Sequence, residues 1–129
     1  DWGIPLGRRF RALKLWFSLR TDGVVPVQAM IREHVELTQQ LAERVAADRR
    51  FDIVAPHPLN LLCISRRADS VDQANAATDA LIEAANAAGI GLFTRTVLDG
   101  RSVMRISIGA RATEAAHVTA MWDRVTEIV

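Results

Sequence analysis

The chain has few of the residues on which several classes of protein depend. Its 129 residues include one cysteine, Cys63, and one lysine, Lys14, beside fifteen arginines. A single thiol can form neither an internal disulfide nor a cysteine metal cluster, and it favours a reducing compartment, so we expect a cytoplasmic protein. A cofactor held as a Schiff base needs a lysine amine, and Lys14 is the one candidate.

Charge and long apolar runs are also scarce. The formal net charge is +1, which argues against nucleic-acid binding by bulk electrostatics. No apolar run approaches the roughly 18 residues of a membrane-spanning helix, so we expect no membrane partner. His34, His57 and His117 are scattered without a pair at helical spacing, and we therefore predict no metal site.

Hydrophobic periodicity predicts a single α+β unit in the order α-α-β-β-α-β-β-α. We expect an α/β two-layer arrangement, in which helices pack on a small, mostly antiparallel sheet of about four strands. The predicted helices are 8–20, 27–48, about 70–88 and one that follows Thr113; the predicted strands are 51–55, 59–65, 92–98 and 102–108.

Local signals fix several of these boundaries. Asp99-Gly100 accepts positive φ at both central positions of a type I′ turn, which predicts a hairpin between the last two strands. Ser70 and Gln73 match a capping box, Gly23 is a plausible helix C-cap, and Thr113 is the expected cap of the last helix. The predicted buried positions of the last three helices are Val27, Met30, Ile31, Leu37, Leu41 and Val45; Ala74, Ala77, Leu81, Ile82 and Ala85; and Val118, Met121, Trp122, Val125 and Ile128.

The first twenty residues combine an apolar and a basic face. They read DWGIPLGRRFRALKLWFSLR, with Arg8, Arg9, Arg11 and Lys14 interleaved with or followed by Phe10, Leu13, Trp16 and Phe17. Chain termini are normally poorly ordered unless another part of the protein holds them. A terminal helix this apolar therefore predicts that the chain is cut from something larger. The cation run has two interpretations: pairing with acids across a domain or dimer interface, which we favour, or phosphate binding.

The segment 5–17, PLGRRFRALKLWF, resembles a signature of the pyridoxal 5′-phosphate-dependent aromatic-L-amino-acid decarboxylases, the group II decarboxylases. Further segments resemble that family in the same order along the whole chain. They are VQAMIREHVEL at 27–37, DRRFDI at 48–53, LLCI at 61–64, TVLDG at 96–100, VMRISIG at 103–109 and TEAAHV at 113–118 with Trp122. Departures from the family pattern occur at Gly7, at Asp22 before Gly23, and at Ala110 after Gly109.

The resemblance implies a part of a fold type I enzyme. Residues 1–23 would be the connecting segment and helix from the end of the large cofactor domain, and residues 24–129 the C-terminal small domain. The family's cofactor lysine follows a histidine in the large domain, whereas Lys14 follows Leu13, so the Schiff-base lysine is expected upstream. The whole protein would release CO₂ from an amino acid with pyridoxal phosphate, as a homodimer, and this part alone would be inactive.

Two residues are candidates for substrate binding. The resemblance places Arg105 near the cleft, where its guanidinium could hold a substrate carboxylate; the alternative is a structural arginine paired with a neighbouring acid or a helix end. Gly7 is the second candidate, with a purely backbone role as the alternative. Trp16 and Trp122 are expected to be core or interface anchors, and Cys63 a packed thiol.

Two other hypotheses remain open at this point. One is a free-standing module that binds a small molecule or dimerises, since fold alone does not settle function. In that case the first helix should pack on the chain's own sheet, whereas in a fragment it should project with Trp16 and Phe17 exposed or buried by a second copy. The other is a truncated or disused gene product.

Overall fold

The elements of the chain follow the predicted order in a computed structural model that describes residues 10–129. The helices are α1 Ala12–Asp22, α2 Val24–Ala47, α3 Val71–Ala87 and α4 Ala115–Glu127, and the strands are β1 Phe51–Ile53, β2 Leu61–Arg66, β3 Thr94–Leu98 and β4 Arg101–Ser107. The predicted α+β class is confirmed. Most strands are shorter than predicted, because the residues next to proline and glycine leave the ladder; β1, for example, ends before Pro56.

The four strands form one antiparallel sheet in the order β1-β2-β4-β3. Leu62 lies opposite Ile106 and Ile64 opposite Met104, so these apolar side chains share one face. Cys63 lies opposite Arg105 and belongs to the other face. The sheet therefore has an apolar face and a second face that carries charge.

Helices α2, α3 and α4 cover the apolar face. One buried cluster takes residues from all three helices and from the strands, and the Phe51 and Trp122 rings within it have centroids 5.0 Å apart. The members of the helices are Leu37, Leu41, Ala42, Val45, Leu81, Ile82, Ala85, Val118, Trp122 and Val125. Most of the buried hydrophobic residues in the described part of the chain belong to this cluster.

The predicted hairpin turn is confirmed, since Asp99 and Gly100 have φ of 49° and 78°. Ser70 caps α3 by accepting a hydrogen bond from the Gln73 N–H at 3.3 Å. The expected cap at Thr113 is wrong: Glu114 caps α4, and it shares a reciprocal capping box with His117. Thr113 lies one residue before the N-cap position, in a turn in which its N–H donates to the Ala110 carbonyl.

Two predicted buried positions are wrong: Ile31 in the first part of α2 is exposed, and so is Ile128, which follows the end of α4 at Glu127. Four others are only half-buried: Val27, Met30, Ala77 and Met121. Buried residues of α2 begin at His34. The division of the chain at residue 23 stays a prediction.

Asparagine side chains extend the sheet's hydrogen bonding beyond the strand ends. Asn75 of α3 donates to the Gly100 carbonyl at 3.0 Å and accepts from the Ser102 N–H at 2.7 Å. The side-chain amide of Asn60 donates to the Ile108 carbonyl at 2.7 Å, and the backbone carbonyl of Asn60 accepts from the Ile108 N–H. Because buried backbone groups need partners, these side chains fix both ends of β4.

Candidate functional site

No helix among residues 10–129 packs on the sheet face opposite α2, α3 and α4, although Cys63 and Val103 on this face are buried. Arg105 projects from the middle of β4 on this face, between Cys63 of β2 and Thr94 of β3. Its side chain is exposed and makes no hydrogen bond or ion pair with another described residue. The expected structural alternative, an arginine paired with a neighbouring acid, is therefore absent from the described part of the chain.

Cys63 is packed beside Arg105, as predicted for a thiol of structural character. Its residue surface is 8% exposed. Burial raises the pKa of the Cys63 thiol, and the nearby Arg105 charge opposes this only in part. A thiol that stays protonated is a poor nucleophile, so Cys63 serves as apolar packing under Arg105.

A second charged group on the same face is internally neutralised. Asp52 of β1 accepts hydrogen bonds from Arg67 and, at 3.0 Å, from Arg101 of β4. The hydrogen bonds from Arg67 and then Arg101 hold the pKa of Asp52 below its ordinary value. This network links the edge strand to the centre of the sheet, and it leaves Arg105 as a guanidinium that no described carboxylate engages.

The other candidate surface is the helix α1, which has no buried residue. Trp16 and Phe17 are each 54% exposed, and their ring centroids lie 5.1 Å apart. Phe10, Leu13 and Leu15 are exposed as well. We call Phe10, Leu13, Trp16 and Phe17 the α1 apolar surface; a cluster of this kind marks an interaction site.

This arrangement separates two of the hypotheses drawn from the sequence. Helix α1 packs against α2 and makes no extensive contact with the sheet. A free-standing module would have packed this helix on its own sheet. A projecting helix with exposed aromatic side chains is what we expected of a part of a larger protein.

The basic residues of the first segment are only partly described. Arg11 and Lys14 are exposed and form no ion pair with a described acid, while Arg20 lies over the Trp16 ring at 5.9 Å. Arg8, Arg9 and the candidate substrate residue Gly7 lie outside the described residues. Their predicted roles stay predictions.

A groove that no sequence motif predicts lies between α1 and α2. It has a volume of about 500 Å³ and is lined by residues of both helices and by Arg111 of the loop after β4. Arg111 forms an ion pair with Asp22, the last residue of α1, with Nη2 and Oδ1 2.7 Å apart. The two residues are distant in the sequence and carry no motif, so only the fold brings them together.

Neither a metal centre nor a membrane span occurs among the described residues. No group of three or more potential ligands from histidine, cysteine, aspartate and glutamate is close enough to bind an ion there. The described helices include none with the length and hydropathy needed to cross a membrane.

Comparison with known proteins gives the family. The model of the pyridoxal-dependent decarboxylase conserved domain matches residues 1–67. The chain belongs to the pyridoxal-dependent decarboxylase family. The match includes α1, α2 and the first two strands, and the resemblance seen in the sequence is thereby confirmed.

Curated relatives extend the match to the whole chain. Tryptophan decarboxylase 2 of Oryza sativa is 37% identical over 100% of this chain, and tyrosine decarboxylase 2 of Narcissus pseudonarcissus is 40% identical over 95% of it. Phenylacetaldehyde synthase of Arabidopsis thaliana is 38% identical over 98%. The chain spans only about a quarter of the length of these relatives, 27%, 25% and 26%.

Solved structures of decarboxylases superpose on nearly the whole chain. Oryza sativa TDC, determined with PLP and tryptamine, superposes with a TM-score of 0.84 at 34% identity, over 96% of this chain and 27% of that one. Catharanthus roseus tryptophan decarboxylase, determined with L-tryptophan, gives 0.82 at 35% identity, over 98% and 27%. Mouse CSAD, at 17% identity and a TM-score of 0.80, shows the fold alone.

The described residues do not fit pyridoxal phosphate as a bound group. Lys14, the single lysine, is exposed on α1 and lines none of the cavities described in this part of the chain. An imine to a cofactor needs a lysine inside a pocket that orients the ring. That Lys14 is not the cofactor lysine, and that this lysine lies upstream, stays a prediction.

The Asp52 network predicts a defined dependence of stability on pH. Asp52→Asn should lower the unfolding free energy at pH 7 by about 1 kcal/mol, because two charge-assisted hydrogen bonds are weakened. The folded-state pKa of Asp52 lies below the unfolded value of about 3.9, so its contribution is present above about pH 4 and is lost as the pH falls through the folded-state pKa. Urea denaturation at several pH values measures this.

The control is Asp69→Asn, which removes an exposed carboxylate that has no ion-pair partner among the described residues. It should leave the unfolding free energy unchanged at both ends of the pH range. A difference between wild type and Asp52→Asn that is as large at pH 3 as at pH 7 would contradict the proposed charge network.

Proposed function

We propose that this chain is the C-terminal part of a pyridoxal-phosphate-dependent decarboxylase that releases CO₂ from an aromatic L-amino acid. The observation that carries the proposal is the extent of the alignments, in which nearly all of this chain matches about a quarter of the length of each relative. The α1 apolar surface supports it, since exposed aromatic side chains need a partner to leave water. The remaining three quarters of such a protein would supply both the partner and the cofactor site.

The role of the chain follows from its two uncovered surfaces. The α1 apolar surface would pack on the cofactor domain, and the sheet face with Arg105 would close one side of the substrate cleft. By capping the cleft, the small domain would exclude water and orient the substrate, which lowers the barrier without any catalytic group of its own. Its described residues perform no chemical step.

The whole protein would be a homodimer in a reducing compartment. The first proposal is what the resemblance to the group II decarboxylases implies, and the buried, unpaired Cys63 supports the second. The small domain would then stabilise the dimer through the surfaces that the cofactor domain leaves uncovered.

The direct experiment is to express the complete reading frame that contains this sequence, beside residues 1–129 alone. Both are assayed for CO₂ release from L-tryptophan, L-tyrosine, L-phenylalanine and DOPA, and the organic products are analysed for amines and for aldehydes. The complete protein should release CO₂ from at least one substrate, and the chain alone from none. A complete protein that releases no CO₂ from any of them would overturn the proposal.

A second prediction concerns Arg105 in the complete protein. If its guanidinium holds the substrate carboxylate, Arg105→Ala should lower kcat/KM about tenfold or more, because losing a charged hydrogen bond costs roughly 1.5 kcal/mol or more. Arg105→Lys should recover part of the loss, since it keeps the charge but not the bidentate fork.

Arg101→Ala provides the matched control. Arg101 lies on the same strand and the same face but is already engaged by Asp52. Its replacement should lower thermal stability while leaving KM near the wild-type value. Wild-type kinetics for Arg105→Ala would show that Arg105 has no part in substrate binding.

A further inference from the structure

The end of α1 is tied to the loop that follows β4. Asp22 is the last residue of α1, and Arg111 lies between β4 and α4. The carboxylate of Asp22 is 19% exposed and the guanidinium of Arg111 is 67% exposed. Their hydrogen bond raises the pKa of Arg111, as expected for a cation held beside a carboxylate.

Besides its contact with α2 and the ion pair of Asp22, α1 has few contacts that set its direction. The turn into α2 is a single residue, Gly23, whose φ of +83° is open to glycine and strained for other residues. The groove of about 500 Å³ separates the two helices, with Leu15 on one side and Val27 and Met30 on the other. Because this groove lies between parts of the two helices, their side chains contact each other along only part of α1.

The loop that carries Arg111 starts from a fixed point. Asn60 holds Ile108 through two hydrogen bonds, one to each backbone group of Ile108. Farther on, the turn from Ala110 to Thr113 leads directly into the capped start of α4. Arg111 therefore projects from a short, anchored loop at the end of the strand that carries Arg105.

The carboxylate of Asp22 also depends on Arg111. Its Oδ2 atom is buried and has no hydrogen-bond partner among the described residues, so the contact of Oδ1 with Arg111 is what compensates the buried charge. Removing Arg111 leaves a carboxylate without compensation, whereas removing the charge of Asp22 leaves an arginine that water can solvate.

We propose that Asp22 and Arg111 are a positioning pair that sets the orientation of α1 relative to β4. The pair would bring the α1 apolar surface onto the cofactor domain in the orientation that also places the Arg105 face at the substrate cleft. This inference rests on the proposed function, because it assigns the pair a part in the docking of the small domain.

The test uses the complete protein with Asp22→Asn, Arg111→Ala and the reversed pair Asp22→Arg with Arg111→Asp. Two quantities are measured: the steady-state kcat and KM, and the rate of tryptic cleavage after Arg20, which is exposed in the described structure. Arg111→Ala should lower kcat/KM and speed cleavage by at least about fivefold each, and Asp22→Asn should do so less. The reversed pair should restore both toward wild type.

The matched control is the ion pair between Arg44 of α2 and Asp123 of α4, whose Nη2 and Oδ1 atoms are 2.5 Å apart. This pair also joins two elements, but both belong to the packed body of the domain. Arg44→Ala should change neither the kinetics nor the cleavage after Arg20.

The outcomes separate the inference from the proposed function. Wild-type kinetics and cleavage in both single variants would overturn the positioning role, as would a reversed pair that restores neither. If the complete wild-type protein releases no CO₂, the proposed function fails, and the cleavage rates with the reversed pair still decide whether the ion pair orients α1.

Discussion

Helix α1 presents aromatic side chains that no other described part of the chain covers, and the rest of the account depends on this constraint. An apolar surface of this kind is stable in water only at a free-energy cost. The buried cluster already occupies the face of the sheet that α2, α3 and α4 cover, and the opposite face carries Arg105 and the charges around Asp52. The α1 apolar surface therefore needs a partner, and family membership points to the remaining three quarters of a decarboxylase as that partner.

The charged residues near the two uncovered surfaces fall into those paired within the chain and those left unpaired. On the uncovered sheet face, Asp52 engages Arg67 and Arg101 within the chain, and Arg105 alone has no described carboxylate. At the base of α1, Asp22 engages Arg111. Charges with a structural role are thus paired internally, and the guanidinium that we propose for the substrate is the one that remains unpaired on the uncovered sheet face.

Local sequence signals predicted much of the fold because they depend on neighbouring residues. Asp99-Gly100 specifies its turn through two positive φ angles, and Ser70 caps α3 through a hydroxyl close to its target. The sequence of β4 alone did not predict which face of the sheet the helices cover, because both faces of the strand carry apolar residues. Val103 shares one face with Arg105, while Met104 and Ile106 share the other. Contacts such as Asp22 with Arg111 were not predictable, because each side chain is unremarkable until the tertiary fold joins them.

Hydrogen exchange of the α1 amides tests the central claim most directly. A helix of 11 residues without a buried side chain is marginal in water, since isolated helices shorter than about 12–15 residues are unstable. The account predicts that these amides exchange nearly as fast as in an unfolded peptide when the chain is alone, and at least about 100-fold more slowly in the complete protein, where the α1 apolar surface is covered. Equal exchange rates for α1 in the two proteins would contradict it.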